Sequence, residues 1–138
     1  MSMLRWIILL LAIQPGLVIA QTVEKVTFFL KEPLVVSNKA LANEIEINII
    51  YLDDYAKIVQ QINRNLPANE QEAERIALDL LSDPKTQSKL TASFEQDLNA
   101  YRLGIDRVPA AIVNDAFIIY GSADLAKILS IADEALSR

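Results

Sequence analysis

The C-terminal third of the chain carries the pattern that most restricts its fold, two apolar runs joined by a very short link. Residues 110–113 and 116–120 are both rich in β-prone side chains, and only Asn114 and Asp115 separate them. A link of two residues is typical of a tight β-hairpin. Because both runs are continuously apolar, we expect the hairpin to lie inside a sheet, away from a solvent-exposed edge.

Hydrophobic periodicity predicts two further strands and four helices. The predicted strands cover residues 26–30 and 45–52, and the predicted helices cover 55–66, 69–81, 83–103 and 122–136. The order strand, strand, three helices, strand, strand, helix indicates a layered, mixed α/β fold. The connection between the first two strands is just long enough for a parallel crossover, so parallel and antiparallel pairing both remain open.

Local signals mark several ends of these elements. Asp53, Asp83 and Ser122 stand where side chains cap the N-terminus of a helix, and Gly104 stands where a left-handed residue ends one. The long third helix repeats apolar residues at spacings of four, four and three. This spacing predicts a buried stripe that comprises Leu90, Phe94, Leu98 and Tyr101.

The first twenty residues have the parts of a secretory signal. Arg5 supplies a positive charge, residues 6–13 are uniformly apolar, and a V-x-A cleavage site ends at Ala20. The apolar run is too short to cross a membrane, because a spanning helix needs about 20 residues. We therefore expect cleavage after Ala20 and a periplasmic protein with no stable membrane anchor, in which residues 21–138 form a single domain.

The composition excludes several kinds of chemistry. The chain has no Cys, no His and three Gly, which rules out thiolate and imidazole catalysis, metal sites built on these residues, and a glycine-rich phosphate loop. Its net charge of −5 argues against nucleic acid or an anionic membrane as the main partner. We therefore expect no cofactor and no bound metal.

Two groups of carboxylates remain as candidates for chemistry. Asp53 and Asp54 could hold a divalent cation, but such sites need more oxygen ligands in one loop, and helix capping explains the pair better. Glu70, Glu72 and Glu74 crowd the first turn of a predicted helix, where the helix dipole favours negative charge on a solvated face. We therefore predict that the protein is not an enzyme; the alternative for these residues is a carboxylate-based hydrolase.

The segment from Gly104 to Gly121 places Pro109 directly before the predicted hairpin, and a helix follows. This arrangement resembles the C-terminal half of the thioredoxin fold. The resemblance implies an α/β, thioredoxin-like domain: a central mixed sheet of about four strands, a helical insertion, and a C-terminal β-hairpin plus helix. It also implies a cis bond between Val108 and Pro109.

Further motifs follow in a fixed order over most of residues 24–137. They are Val26 to Pro33, Leu52-Asp53, Leu66-Pro67-Ala68, Tyr101-Arg102-Leu103-Gly104, Val108-Pro109-Ala110-Ala111-Ile112-Val113 and Tyr120-Gly121. This series resembles a family of small thioredoxin-like periplasmic proteins encoded in integrating conjugative elements. The resemblance implies a non-catalytic component of a type IV secretion-like DNA-transfer system, an assembly, scaffold or chaperone-like factor with protein partners in the cell envelope. The alternative is a periplasmic peptide-binding or holdase module unrelated to conjugation.

The resemblance also implies where a partner binds. Thioredoxin-like proteins hold an extended peptide on the backbone beside the cis-proline, which corresponds here to Val108, Pro109 and Ala110. The alternative is that Pro109 only shapes the entry to the hairpin. The redox Cys-x-x-Cys of that fold has no counterpart in residues 31–38, and thiol–disulfide exchange is excluded because it requires an attacking thiolate.

Overall fold

The computed structural model describes residues 21–138. These residues form four strands and four helices: β1 (Lys25–Leu30), β2 (Glu46–Tyr51), α1 (Asp54–Arg64), α2 (Glu70–Ser82), α3 (Pro84–Arg102), β3 (Ala110–Val113), β4 (Phe117–Tyr120) and α4 (Leu125–Leu136). A short 3-10 helix, Lys39–Ala42, lies in the connection between β1 and β2. The predicted order of elements is confirmed. The predicted leader, residues 1–20, lies outside the described residues.

The four strands form one mixed sheet in the order β2-β1-β3-β4. Strand β1 pairs parallel with β2 and antiparallel with β3, and β3 pairs antiparallel with β4. The sequence left the pairing of the first two strands open, and the structure makes it parallel with only a 3-10 helix in the crossover. This mixed α/β architecture is consistent with the predicted thioredoxin-like fold.

Helix α4 and the β1–β2 connection cover one face of the sheet. Alternate residues of β1 point into this layer, because successive side chains of a strand face opposite sides. Phe28 and Leu30 are fully buried there and pack with Leu125 and Ile128 of α4. This layer is the larger of the two hydrophobic cores.

The opposite face of the sheet is covered only in part. Phe29, Ala110 and Ile112 pack against Ala100, near the end of α3, and against Ile105 in the loop that follows. Helices α1 and α2 pack mainly against α3. A cleft of about 310 Å³ therefore remains on this face; its lining residues include Thr27, Phe29, Asn48, Ile50, Asn99 and Leu103.

The hairpin forms as predicted, but its place in the sheet differs from the prediction. Strand β4 is an edge strand, and the link to it has three residues, because Val113 pairs with Phe117. Ile119 packs on one face, and Ile118 and Tyr120 pack on the other. The continuous apolar run therefore reflects two covered faces and not an interior position in the sheet.

Two of the predicted helix boundaries are confirmed by their geometry. The Asp83 carboxylate accepts a hydrogen bond from the Thr86 N–H at 2.8 Å, as an N-cap does. Gly104 follows α3 with a φ of 79°, a left-handed conformation that glycine adopts without steric cost.

Two other predicted caps are wrong. Asp53 occupies the N-cap position of α1, but its side chain makes no capping hydrogen bond and pairs with Lys57 instead. Ser122 does not cap α4, because Asp124 accepts the hydrogen bond from the first turn of that helix. In both cases a competing residue within four positions decides the outcome, and the capping pattern alone does not tell which contact forms.

The predicted buried stripe of α3 is also wrong in part. Phe94 is 53% exposed and Tyr101 is 79% exposed, whereas Ser93 and Ala100 are buried. Small side chains let α3 approach its neighbours closely, and the Ser93 hydroxyl is satisfied by the carbonyl of Lys89 at 2.9 Å. The helix therefore buries its small residues and leaves its aromatic residues at the surface.

Candidate functional site

The loop before β3 meets the end of β1 at one end of the sheet. The β1–β3 pairing places Phe29 opposite Ala110, so the next residues, Leu30 and Pro109, lie side by side. The Val108–Pro109 bond is cis, as the resemblance implies. Ala110 is fully buried, while Val108 and Pro109 are half-buried. The three predicted site residues thus lie together at the point where the chain enters the sheet.

The backbone of Val108 is open at this end of the β1–β3 ladder. Lys31 continues the register and would pair with Val108, but the Lys31 carbonyl accepts the N–H of Leu34 at 3.0 Å instead. Among residues 21–138, neither the N–H nor the C=O of Val108 makes a hydrogen bond. A backbone donor and an acceptor are therefore free to pair with an added extended segment.

The loop that carries Val108 is held in place on the side of β4. The Tyr120 hydroxyl donates to the carbonyl of Gly104 at 3.0 Å, and the Arg107 guanidinium lies 4.6 Å from the centre of the Tyr120 ring. The Pro109 carbonyl accepts the N–H of Gly121 at 2.8 Å. These contacts fix the conformation of the loop, and a loop fixed in advance loses less conformational entropy when it binds a ligand.

A second turn stands beside this loop, where the thioredoxin fold carries its redox motif. It spans Lys31 to Leu34, is closed by their backbone hydrogen bond, and contains a cis bond between Glu32 and Pro33. The turn exposes Leu34 by 40% and the following Val35 by 66%. The sequence analysis missed this surface, although Pro33 shortly after a predicted strand was the available signal.

The same turn is tied to α1 by an ion-pair cluster. Lys57 lies 2.6 Å from the Glu32 carboxylate and 2.8 Å from that of Asp53. Burial acts to raise the pKa of Asp53, but hydrogen bonds from Lys57 and from the Glu32 backbone outweigh burial and hold the pKa below its ordinary value. The cluster fixes the turn relative to α1 and explains why Asp53 is not free to cap the helix or bind a cation.

The other carboxylate candidates are not brought together. Glu70, Glu72 and Glu74 are all exposed on α2. Within the described range 21–138, no three potential ligands are grouped so that they could hold a metal ion. Each helix of this range is also too short or too polar to cross a membrane.

The fold and the site together define a class of protein. The chain is a mixed α/β protein, consistent with the thioredoxin-like fold, that has no cysteine and presents an open backbone position beside a cis-proline. It belongs to the family described as "Protein of unknown function (DUF1525)", whose family model matches residues 32–135. No curated protein and no solved structure matches the chain.

Proposed function

We propose that the protein is an exported, non-catalytic component of the type IV secretion-like DNA-transfer system of an integrating conjugative element. It holds an extended segment of an envelope protein and serves as an assembly, scaffold or chaperone-like factor. The observation that carries the binding role is the open backbone of Val108 at the end of the β1–β3 ladder. The link to conjugation rests on the sequence resemblance.

The geometry supports recognition by strand addition. The partner backbone pairs with the N–H and C=O of Val108, while its side chains contact the apolar surface of Leu34 and Val35. Because backbone pairing is independent of the partner's sequence, the apolar contacts determine which partner segments the site prefers. The partner segment is therefore extended and carries at least one apolar side chain.

Two exposed apolar residues give a matched test of this site. Val35→Asp places a charge on the exposed apolar surface that follows β1, where Val35 is 66% exposed, and Leu78→Asp places the same charge on α2, where the exposure is similar at 58%. In donor cells, we expect Val35→Asp to lower the transfer frequency at least tenfold and Leu78→Asp to leave it unchanged. Equal frequencies for the two variants, at equal protein levels, would contradict the proposed site.

The exposed Leu34 and Val35 also favour a second candidate, a general periplasmic holdase that binds apolar segments. Deletion of the gene separates the two functions. A conjugation component is expected to be required for transfer of the element that encodes it, with relaxase and mating-pair genes nearby. If transfer is unchanged by deletion while Val35→Asp still weakens the binding of unfolded clients, the holdase role is the correct one.

A further inference from the structure

Strand β2 forms one edge of the sheet, and half of its backbone groups face away from the sheet. Glu46 donates its N–H to the Glu24 carbonyl at 2.8 Å, and Leu52 donates to the Leu30 carbonyl at 2.9 Å. The even-numbered residues of β2 therefore make the hydrogen bonds to β1. In a parallel ladder, the residues between them direct both N–H and C=O to the other side. The outward-facing residues are Ile47, Ile49 and Tyr51.

This edge lacks the features that usually keep an edge strand from pairing. The six residues of β2 include no proline and no lysine, and all six pair with β1 in unbroken register. Its three isoleucines and Tyr51 are only half-buried, so the edge offers apolar contacts as well as three donors and three acceptors. An exposed edge of this kind is a template for another strand.

The opposite edge of the sheet is less suited to pairing. Strand β4 has four residues, and its hydrogen bonds to β3 leave only Ile118 and Tyr120 facing outward. The Tyr120 side chain is already engaged with Arg107 and Gly104. The edge formed by β2 is therefore the stronger candidate for an interface.

We propose that β2 pairs antiparallel with β2 of a second copy of this chain, about a twofold axis at Ile49, to form a continuous sheet of eight strands. In this register, Ile49 lies opposite its own copy and Ile47 lies opposite Tyr51. All outward-facing backbone groups of both strands are then paired.

The side chains of β2 are complementary to themselves in the same register. On one face, the cross-strand pairs join only isoleucine and tyrosine. On the other face, Asn48 lies opposite Ile50, and Glu46, the only charged residue of the strand, lies opposite Leu52. No like charges meet, and a twofold axis closes the assembly at a dimer. This match of the strand with itself favours a second copy over an unrelated peptide.

Single cysteines test both the interface and its register, because the native chain has none. We expect Ile49→Cys to form a disulfide-linked dimer under mild oxidation, since the two copies of this position face each other at a separation that a disulfide can bridge. Ile47→Cys is the matched control on the same face of the strand, and it is expected to remain largely unlinked. The double variant Ile47→Cys with Tyr51→Cys is expected to link again. Equal linking by the two single variants, or none by Ile49→Cys, would overturn the proposal.

A second pair of variants tests the backbone pairing without a thiol. Ile49→Pro removes an outward-facing N–H and leaves the hydrogen bonds to β1 intact, whereas Ile49→Ala removes the same side-chain contacts but keeps the donor. Sedimentation velocity on the wild type is expected to show a reversible dimer. The dissociation constant of Ile49→Pro is expected to rise about 30-fold above that of Ile49→Ala, for two lost hydrogen bonds per dimer. A wild type that stays monomeric at every concentration, or equal constants for the two variants, is evidence against the interface.

Discussion

At the scale of single residues, Asp97 on α3 is the side chain whose burial is least compensated. Its Oδ1 atom is enclosed and, among residues 21–138, has no hydrogen-bond partner. Burial raises the pKa of Asp97, the negative charges of Asp54 and Asp53 raise it further, and the positive charge of Lys31 opposes the rise. The ionised carboxylate is therefore less stable in the folded chain than in the unfolded chain.

This imbalance predicts that Asp97→Asn stabilises the protein at neutral pH. The expected gain in the free energy of unfolding is about 0.5–1 kcal/mol at pH 7, because the uncompensated charge is only partly screened by solvent. As the pH falls through the raised pKa, the wild-type carboxyl takes up a proton and loses its penalty, so the gain disappears below the ordinary value of 3.8. Urea unfolding of both proteins at several pH values measures the difference.

The exposed Asp106 provides the control for that measurement. Its side chain is 70% exposed, beside Arg107, so Asp106→Asn removes a charge that solvent already screens. A pH-dependent gain of the same size in Asp106→Asn would show that net charge, and not the position of Asp97, is responsible.

Residue positions were predictable where a single local contact decides the geometry. Asp83 caps α3 through an N–H three residues away, and Gly104 ends that helix through its own backbone freedom. Asp53 and Tyr101 were not predictable in this way. Asp53 pairs with Lys57, which also pairs with the distant Glu32. The exposure of Tyr101 depends on how closely the neighbours of α3 approach Ser93 and Ala100.

At the scale of elements, the hairpin allows a test of how each strand contributes to stability. The sequence predicts that Ile112 and Ile118 are both buried. Ile112 is 7% exposed in the central strand β3, whereas Ile118 is only half-buried in the edge strand β4. Ile112→Ala is therefore expected to lower the free energy of unfolding by about 2–5 kcal/mol, and Ile118→Ala by about half as much. Chemical denaturation of the two variants side by side checks the order, and a larger loss for Ile118→Ala would contradict the strand order described above.

The helices and strands were predictable because each has its own hydrophobic periodicity. Their arrangement in the fold was less predictable. Alternation identified β2 and the 3.6-residue period identified α1 and α2, but neither reveals which strand lies beside β1. The open backbone of Val108 depends on a competition at Lys31, whose carbonyl bonds to Leu34. That competition depends on the turn and the ladder together, so the sequence could propose residues 108–110 as a site by resemblance but could not show that the backbone of Val108 is free.

At the scale of the whole molecule, the proposed binding surface and the proposed dimer edge belong to different parts of one sheet. Val108 lies at the end of the ladder between β1 and β3, whereas the outward groups of Ile49 lie along β2. A twofold pairing through β2 therefore leaves two copies of the Val108 site available. Such a dimer is expected to hold two partner segments at once, which fits the proposed scaffold role because linked sites bind a multivalent partner more tightly than one site does.

The predicted leader also has a measurable consequence at the N-terminus of the protein. The V-x-A site predicts that the exported protein begins at Gln21. The side chain of Asn114 bonds the Thr22 carbonyl and the N–H of Glu24, so cleavage at this site would leave one residue before the anchored segment. Trp6 is the only tryptophan and all four tyrosines follow the cleavage site, so the periplasmic protein is expected to show tyrosine fluorescence alone. Ala20→Leu removes the small residue that cleavage requires, and this variant is expected to retain Trp6 and its emission. N-terminal sequencing identifies the first residue directly, and tryptophan emission from purified wild-type periplasmic protein would show that the leader is kept.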